Sequence, residues 1–250
     1  MADTASATIE RREFKYLVHP SRIPGIRRAL QGWCVLDRHA QANRLYAIRS
    51  LYLDTADLRL AKANAAEVHT RFKVRVREYP GTTAPVFLEI KRRYGDVIKK
   101  LRTQIQHEAW PGLLNQPLGE LSEGVAGFVD LVQHMDLRPV TLVEYDREAY
   151  MSEVDDYARV TFDLAIGCQR ADDWTLHPYQ YARLPIDNPV HTSTVEPRVV
   201  IELKFAGPAP MWMRHIVERF ELERQAFSKY VSSVETLADI GDLGTRGVGA

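Results

Sequence analysis

An α+β fold, with about eight strands and helices packed outside them, is predicted by three observations. Short segments of strict period-two alternation recur along the chain, stretches of helical spacing interrupt them, and nearly every strand carries charge on one face and apolar groups on the other. In most small barrels the interior is filled by apolar side chains. Here the charged faces are expected to line a wet tunnel and the apolar faces to pack against the helices.

The elements follow in order. IERREFKYLV reads as a first strand with Arg11, Glu13 and Lys15 on one face and Phe14, Tyr16 and Val18 on the other. His19-Pro20-Ser21 breaks it, and Ser21 can cap a helix running to about Leu30. RLYAIRSLYLDT is the next strand, with Ile48, Ser50, Tyr52 and Asp54 opposite Ala47, Leu51 and Leu53. TADLRLAKANAAE forms a short helix or turn. HTRFKVRVREY then places Arg71, Lys73, Arg75 and Arg77 on one face and Phe72, Val74 and Val76 on the other. PVFLEIKRR follows, with Phe87, Glu89 and Lys91 against Val86, Leu88 and Ile90, and Tyr94-Gly95-Asp96 turns into VIKKLRTQI. That last strand aligns Lys100, Arg102 and Gln104 and leaves Lys99 on the other side. Residues 111–137 carry helical spacing, and Pro139 ends it. VTLVEYDREAY and YARVTFDLAI are strands, 169–195 reads as a long loop or irregular hairpin, and RVVIELKF is the last clear strand, with Glu202 and Lys204 on its charged face. One terminal helix, MWMRHIVERFELERQAFSKYVSSVETL, precedes a Gly-rich tail. The expected organisation is a polar leader at 1–8, a single domain at 9–237 and a flexible tail at 238–250.

Composition narrows the function classes. Lys plus Arg and Asp plus Glu are 33 each, so no global field advertises a nucleic-acid partner, and the basic character is local. Single-strand binding would need aromatic platforms among the cations, and the basic strand offers Phe72 on the wrong face and Tyr79 at its edge. Cys34 and Cys168 have no nearby Cys/His cluster, and the histidines form no metal-ligating pattern. No apolar run approaches a membrane span and MADTASATIERREF lacks an apolar signal core, so a cytoplasmic location is expected. Cations two residues apart along a strand repel one another unless an anion sits between them. The basic strand therefore predicts a highly charged ligand.

In order, EFKY, SLYLDT, RFKVRVREY, FLEIKRR, VIKKLR, EYDREAY, ARVTFD, VIELKF and SKY resemble the VTC domain, the polyphosphate polymerase branch of the CYTH-like triphosphate tunnel metalloenzymes, over residues 9 to 235. The resemblance implies an eight-stranded antiparallel β-barrel, a tunnel whose basic lumen holds a triphosphate or polyphosphate, with a divalent metal on a glutamate. By the same resemblance Lys15, Arg75, Arg77, Lys91, Lys100, Arg147, Arg159 and Lys229 are the catalytic, phosphate-contacting cations, and Glu202 takes the metal position. Arg102 and Lys204 join the phosphate-binding set, and Glu89 and Glu13 are further metal ligands. The CYTH relatives begin with ExExK, and Arg11 replaces the first glutamate here. The loss of a carboxylate favours the VTC branch over a two-metal hydrolase.

Arginine clasps phosphate oxygens in bidentate fashion and lysine adds point charge, so cations on facing strands can surround a triphosphate without a Gly-rich loop. The expected reaction is metal-dependent transfer of phosphate from ATP to a polyphosphate end, with Mn²⁺ or Mg²⁺ bridging Glu202 and phosphate. A triphosphatase and a polyphosphate-binding module without turnover are the alternatives. The resemblance also raises a membrane-protein partner. Arg71 and Lys73 lie toward the start of the basic strand, where a tunnel entrance would attract substrate. Asp54 and Asp163 are expected to orient cations or cap turns, and Tyr52 and Tyr150 to offer hydroxyls or pack between strands.

Overall fold

The computed structural model describes residues 11–40, 42–95, 97–155, 157–179, 182–187 and 198–241. The expected leader and residues 242–250 of the tail lie outside them, as does part of the 169–195 segment. Contacts group the chain into two compact units of interleaved segments. The first comprises residues up to Leu45, Glu148–Asp163 and Arg198–Phe227; the second comprises Tyr46–Arg147, Leu164–Pro197 and Ser228 onward.

In the first unit, β1 (Arg11–Val18) pairs antiparallel with β10 (Val199–Ala206), and β10 pairs with the first half of β8 (Ala158–Arg170). The short β2 (Cys34–Leu36) pairs with the end of β7 (Arg138–Ser152). Helices α1 (Ile23–Leu30) and α4 (Met211–Arg219) complete this unit. Its apolar residues include Ile26, Val160, Phe162, Leu203 and Met213, all buried.

In the second unit, β3 (Tyr46–Asp54) lies between β7 and β4 (Thr70–Glu78), and β5 (Val86–Tyr94) and β6 (Val97–Ile105) follow β4 in register. The two-residue β9 (Leu184–Pro185) pairs with the later part of β8. Helix α2 (Arg59–Ala65) lies against β3 and β4, and α3 (Glu123–His134) against β5 and β6. Leu51, Leu53, Val74, Val76, Leu88 and Ile90 fill the sheet face turned to these helices and are 4% exposed or less. Each such burial stabilises the fold by about 1.5–3 kcal/mol. The hairpin from β5 to β6 turns at Gly95, whose φ of 56° suits glycine, and an added Cβ would stand 2.7 Å from the His69 ring.

The strand order is β1-β10-β8-β7-β3-β4-β5-β6, a large antiparallel sheet of ten strands, and among the described residues no pairing joins β1 to β6. This corrects the expected eight-stranded barrel. Alternation identifies the two faces of a strand but carries no information about closure, and β2 and β9 are too short to show a period. Two helical expectations also change. Residues 111–137 form short 3₁₀ turns at Gly112–Asn115 and Leu118–Glu120 before α3 begins, because Pro111 and Pro117 remove helical donors. The single terminal helix is two, α4 and α5 (Lys229–Asp239), separated by Glu221 at positive φ and a bridge between Tyr16 and Arg224. Ser228 restarts the helix by accepting from the Val231 amide. At the first helix, Ser21 lies inside a 3₁₀ turn rather than at the cap, and His19 Nδ1 accepts from its amide. The tail expected from 238 begins as the last turn of α5.

Candidate anion-binding site

Register places the cations of the second unit in rows. Lys73 stands opposite Lys91, which stands opposite Lys100; one step along, Arg75, Glu89 and Arg102 align. On the β4–β6 part of this face Glu89 is the one carboxylate, and it is 1% exposed. Arg75 Nη2 lies 2.6 Å from Glu89 Oε2, and Lys100 Nζ lies 2.7 Å from Oε1. Arg102 Nε is 3.2 Å from Oε1 and Arg77 Nη1 is 4.0 Å from Oε2. Burial alone would raise the Glu89 carboxyl, but Arg75, Arg77 and Lys100 outweigh it and hold it far below the usual carboxylate range.

The same cations act on their other neighbours. Arg77 donates to Ser50 Oγ at 3.1 Å and to the Tyr145 hydroxyl at 3.2 Å. Arg75 donates to the Tyr52 hydroxyl at 3.0 Å. Burial raises the Tyr52 hydroxyl, yet Arg75 and Arg77 bring it below its ordinary value. Lys100 moves the opposite way: burial, with Arg75 and Arg77 adding to it, brings its ammonium down to about 8 despite Glu89. The lysine therefore titrates close to neutral pH.

Helix α5 adds the C-terminal member. Lys229 is 7% exposed, with Nζ 4.7 Å from the Tyr145 ring centroid, and the Arg147 guanidinium lies 5.3 Å from the same ring. Tyr230 stacks on Tyr52 at 4.8 Å with the rings 14° apart, and its hydroxyl donates to Asp54 at 2.5 Å. Asp54 also accepts from the Leu60 and Ala61 amides, so it fixes the start of α2. Lys73 donates to Ser228 Oγ at 2.8 Å. Arg71, in contrast, turns to the Glu67 and Val68 carbonyls. The rings of Tyr52, Tyr145 and Tyr230 fill space among the cations, so this part of the face is drier than the wet tunnel expected. Sequence reading missed Tyr145 and Tyr230. Both sit beside residues it selected: Tyr145 two positions before Arg147 on the same strand face, Tyr230 directly after Lys229.

The first unit gathers the remaining candidates. Lys15 faces Glu202 across β1 and β10, with Nζ 3.8 Å from Oε1, and Glu13 faces Lys204. Lys204 Nζ is 2.7 Å from Glu202 Oε2, and Lys15 is 3.7 Å from Glu13. Lys15 also donates to the Phe227 carbonyl. Arg159, opposite Lys204 on β8, pairs with Asp37 at 3.0 Å. Tyr150 donates to the fully buried Glu148, and burial with that carboxylate pushes its hydroxyl up to about 12, so it serves packing. Among the described residues no three His, Cys, Asp or Glu side chains are grouped to hold a metal. Glu202 and Glu13 can supply two carboxylate ligands, which fits a hard cation whose other positions are taken by phosphate and water. Glu89 is more deeply buried than Glu202 and holds three cations within 3.2 Å, so it fits that role less well.

The face thus combines like-charged cross-strand rows, arginines held by hydroxyls and a Lys100 ammonium brought down toward neutral pH. The chain belongs to the VTC domain family, whose model matches residues 10–238. That membership supports a polyphosphate-related function and is consistent with phosphotransfer. No curated protein matches the chain. Among solved structures, "Structure of PH1819 protein from Pyrococcus Horikoshii OT3" is similar at 11% identity and a TM-score of 0.46, covering 92% of this chain and 99% of that one. A likeness so slight carries no argument about fold or activity. No described helix is long and apolar enough to cross a membrane.

Proposed function

We propose that the protein is a polyphosphate polymerase that transfers the γ-phosphate of ATP to the end of a growing polyphosphate chain. The observation that carries this reading is the VTC family match together with the dense basic face, in which the lysine row Lys73, Lys91 and Lys100 lies beside the Arg75–Glu89–Arg102 row and three adjacent strands offer cations to one phosphate chain. A terminal phosphate oxygen of the acceptor attacks the γ-phosphorus, the bond from that phosphorus to the β–γ bridging oxygen breaks, and ADP leaves. The acceptor is already ionised, so no strong general base is required.

Catalysis rests on alignment and charge neutralisation. Arg75 and Arg77, held in place by Glu89, Tyr52, Ser50 and Tyr145, would grip phosphate oxygens. Lys91, Lys100, Arg147 and Lys229 would supply further positive charge. Lys15, Arg159 and Lys204 would do the same in the first unit. Glu202 and Glu13 would hold Mn²⁺ or Mg²⁺, which supplies charge neutralisation when bound. Glu89 would order the cations. The protein would act in the cytoplasm, with a membrane-protein partner docking it.

ATP and Mn²⁺ should yield long, acid-labile phosphate polymers that an exopolyphosphatase digests. Release of orthophosphate and ADP alone would make the protein a triphosphatase. Polyphosphate binding with no turnover would make it a binding module.

A further inference from the structure

The cation rows end in aromatic residues on one side. Following β4 and β5 away from the Lys73–Lys91 row, the face passes Arg75 and Glu89, then Arg77 and Phe87, and then reaches Tyr79. The Tyr79 and Phe87 rings meet edge to face at 5.8 Å, and Tyr46 lies 6.1 Å from Tyr79. Arg102 lies flat against this group, with its guanidinium carbon 3.6 Å from the Phe87 centroid. Two of its donors are held: Nε faces Glu89 at 3.2 Å and Nη2 donates to the Tyr79 hydroxyl at 3.2 Å. The side chain is nevertheless 38% exposed. A guanidinium fixed by two of its donors and resting on a ring presents a flat outer face in a defined orientation. Such a face stacks on nucleobases.

We infer that Arg102, fixed by Phe87 and Tyr79, is the nucleobase platform of this site and sets its preference for a nucleoside triphosphate over a bare triphosphate. The inference rests on the ATP-using reading above and reassigns Arg102 from phosphate contact to base contact. The spacing suits it. Lys91 and Phe87 are four residues apart on β5, about 13 Å at ~3.3 Å per residue, a span that a ribose triphosphate bridges with its base over Arg102 and its terminal phosphate among the lysines. The base end and the lysine end then give the face a direction, with polymer leaving from the Lys73–Lys91–Lys100 side. The fused rings of a purine cover more of the guanidinium than a pyrimidine does, so purine nucleotides should bind more tightly.

The test compares ATP with inorganic tripolyphosphate by calorimetry on the parent protein, Phe87→Leu and Tyr79→Phe. Neither substituted side chain is assigned to phosphate, and retained tripolyphosphate affinity reports that each variant is folded. ATP affinity should fall about ten-fold in Phe87→Leu and by a smaller factor in Tyr79→Phe, with tripolyphosphate affinity unchanged. Equal losses for both ligands, or no loss for ATP, would overturn the platform and leave the phosphate site standing. A parent protein that binds neither ligand would overturn the polymerase reading, and the platform with it.

Discussion

On the β1–β10 face Glu13 stands opposite Lys204 and Lys15 opposite Glu202, so unlike charges meet across the strands. On the β4–β6 face the pattern is reversed: Arg71 stands opposite Arg93, Lys73 opposite Lys91, and Lys91 opposite Lys100. The first arrangement neutralises itself. The second has Glu89 at its centre and a lysine row to one side, so like charges stand next to one another across three strands. Two charged faces that look alike in composition thus differ in what they ask of a ligand. On the reading proposed above, one would offer carboxylates to a cation, and the other would offer cations to a polyanion.

The sharpest way to break this comparison is to remove the central carboxylate from each face. Glu89→Gln leaves Arg75, Lys100 and Arg102 without their shared partner and should destabilise the protein by about 3–5 kcal/mol in chemical denaturation, the usual cost of breaking a buried pair. Added tripolyphosphate should restore more stability to this variant than it adds to the parent. Glu202→Gln should cost less, because the two lysines that pair with it are each more than 20% exposed, whereas Glu89 also holds Arg75 at 19% exposure and lies 4.0 Å from Arg77 at 7%. It should shift the Mn²⁺ concentration required for activity. Equal destabilisation by the two substitutions, with no rescue of Glu89→Gln by tripolyphosphate, would erase the distinction.

A second, gentler probe is pH. Lys100 is charged below about 8 and neutral above it, so its contribution to anion affinity is present at lower pH and lost as pH rises through that value. Tripolyphosphate affinity should therefore weaken between pH 7 and pH 9, with a midpoint raised somewhat by the bound anion. Lys100→Arg, always charged, should flatten the profile. The smallest expected effect is that of Tyr230→Phe, which removes the hydroxyl given to Asp54 while keeping the stack on Tyr52. About 1–3 kcal/mol of stability should be lost, read as a lower thermal midpoint with the metal requirement unchanged.

The alternation in HTRFKVRVREY and PVFLEIKRR was sufficient to place Arg75, Arg77, Glu89 and Lys91 on one face, since a side-chain period of two is a local property of an extended chain. It also separated Lys100 from Lys99, and the register of β5 with β6 places Lys100 in the lysine row and Lys99 opposite Arg92. The sheet's order and its open ends were not legible, because pairing depends on contacts far apart in sequence. The two halves of the expected terminal helix read as one for a related reason: the apolar spacing continues past Phe220, and the interruption comes from a bridge to Tyr16. The role of Glu89 required coordinates as well. Sequence shows a carboxylate beside cations, whereas only geometry shows that three of them lie within 3.2 Å of it.

The bond between Tyr230 and Asp54 joins residues 176 positions apart. During synthesis the β4–β5 and β5–β6 hairpins can form soon after they emerge, since their contacts are local. Lys229 reaches its place beside Tyr145 only after α5 has been made, when nearly every other described element already exists. A nascent chain thus carries the basic strands long before it carries their last cation. Assembly of the cluster waits for α5, so fragments truncated before residue 228 should hold polyphosphate weakly while retaining the two hairpins.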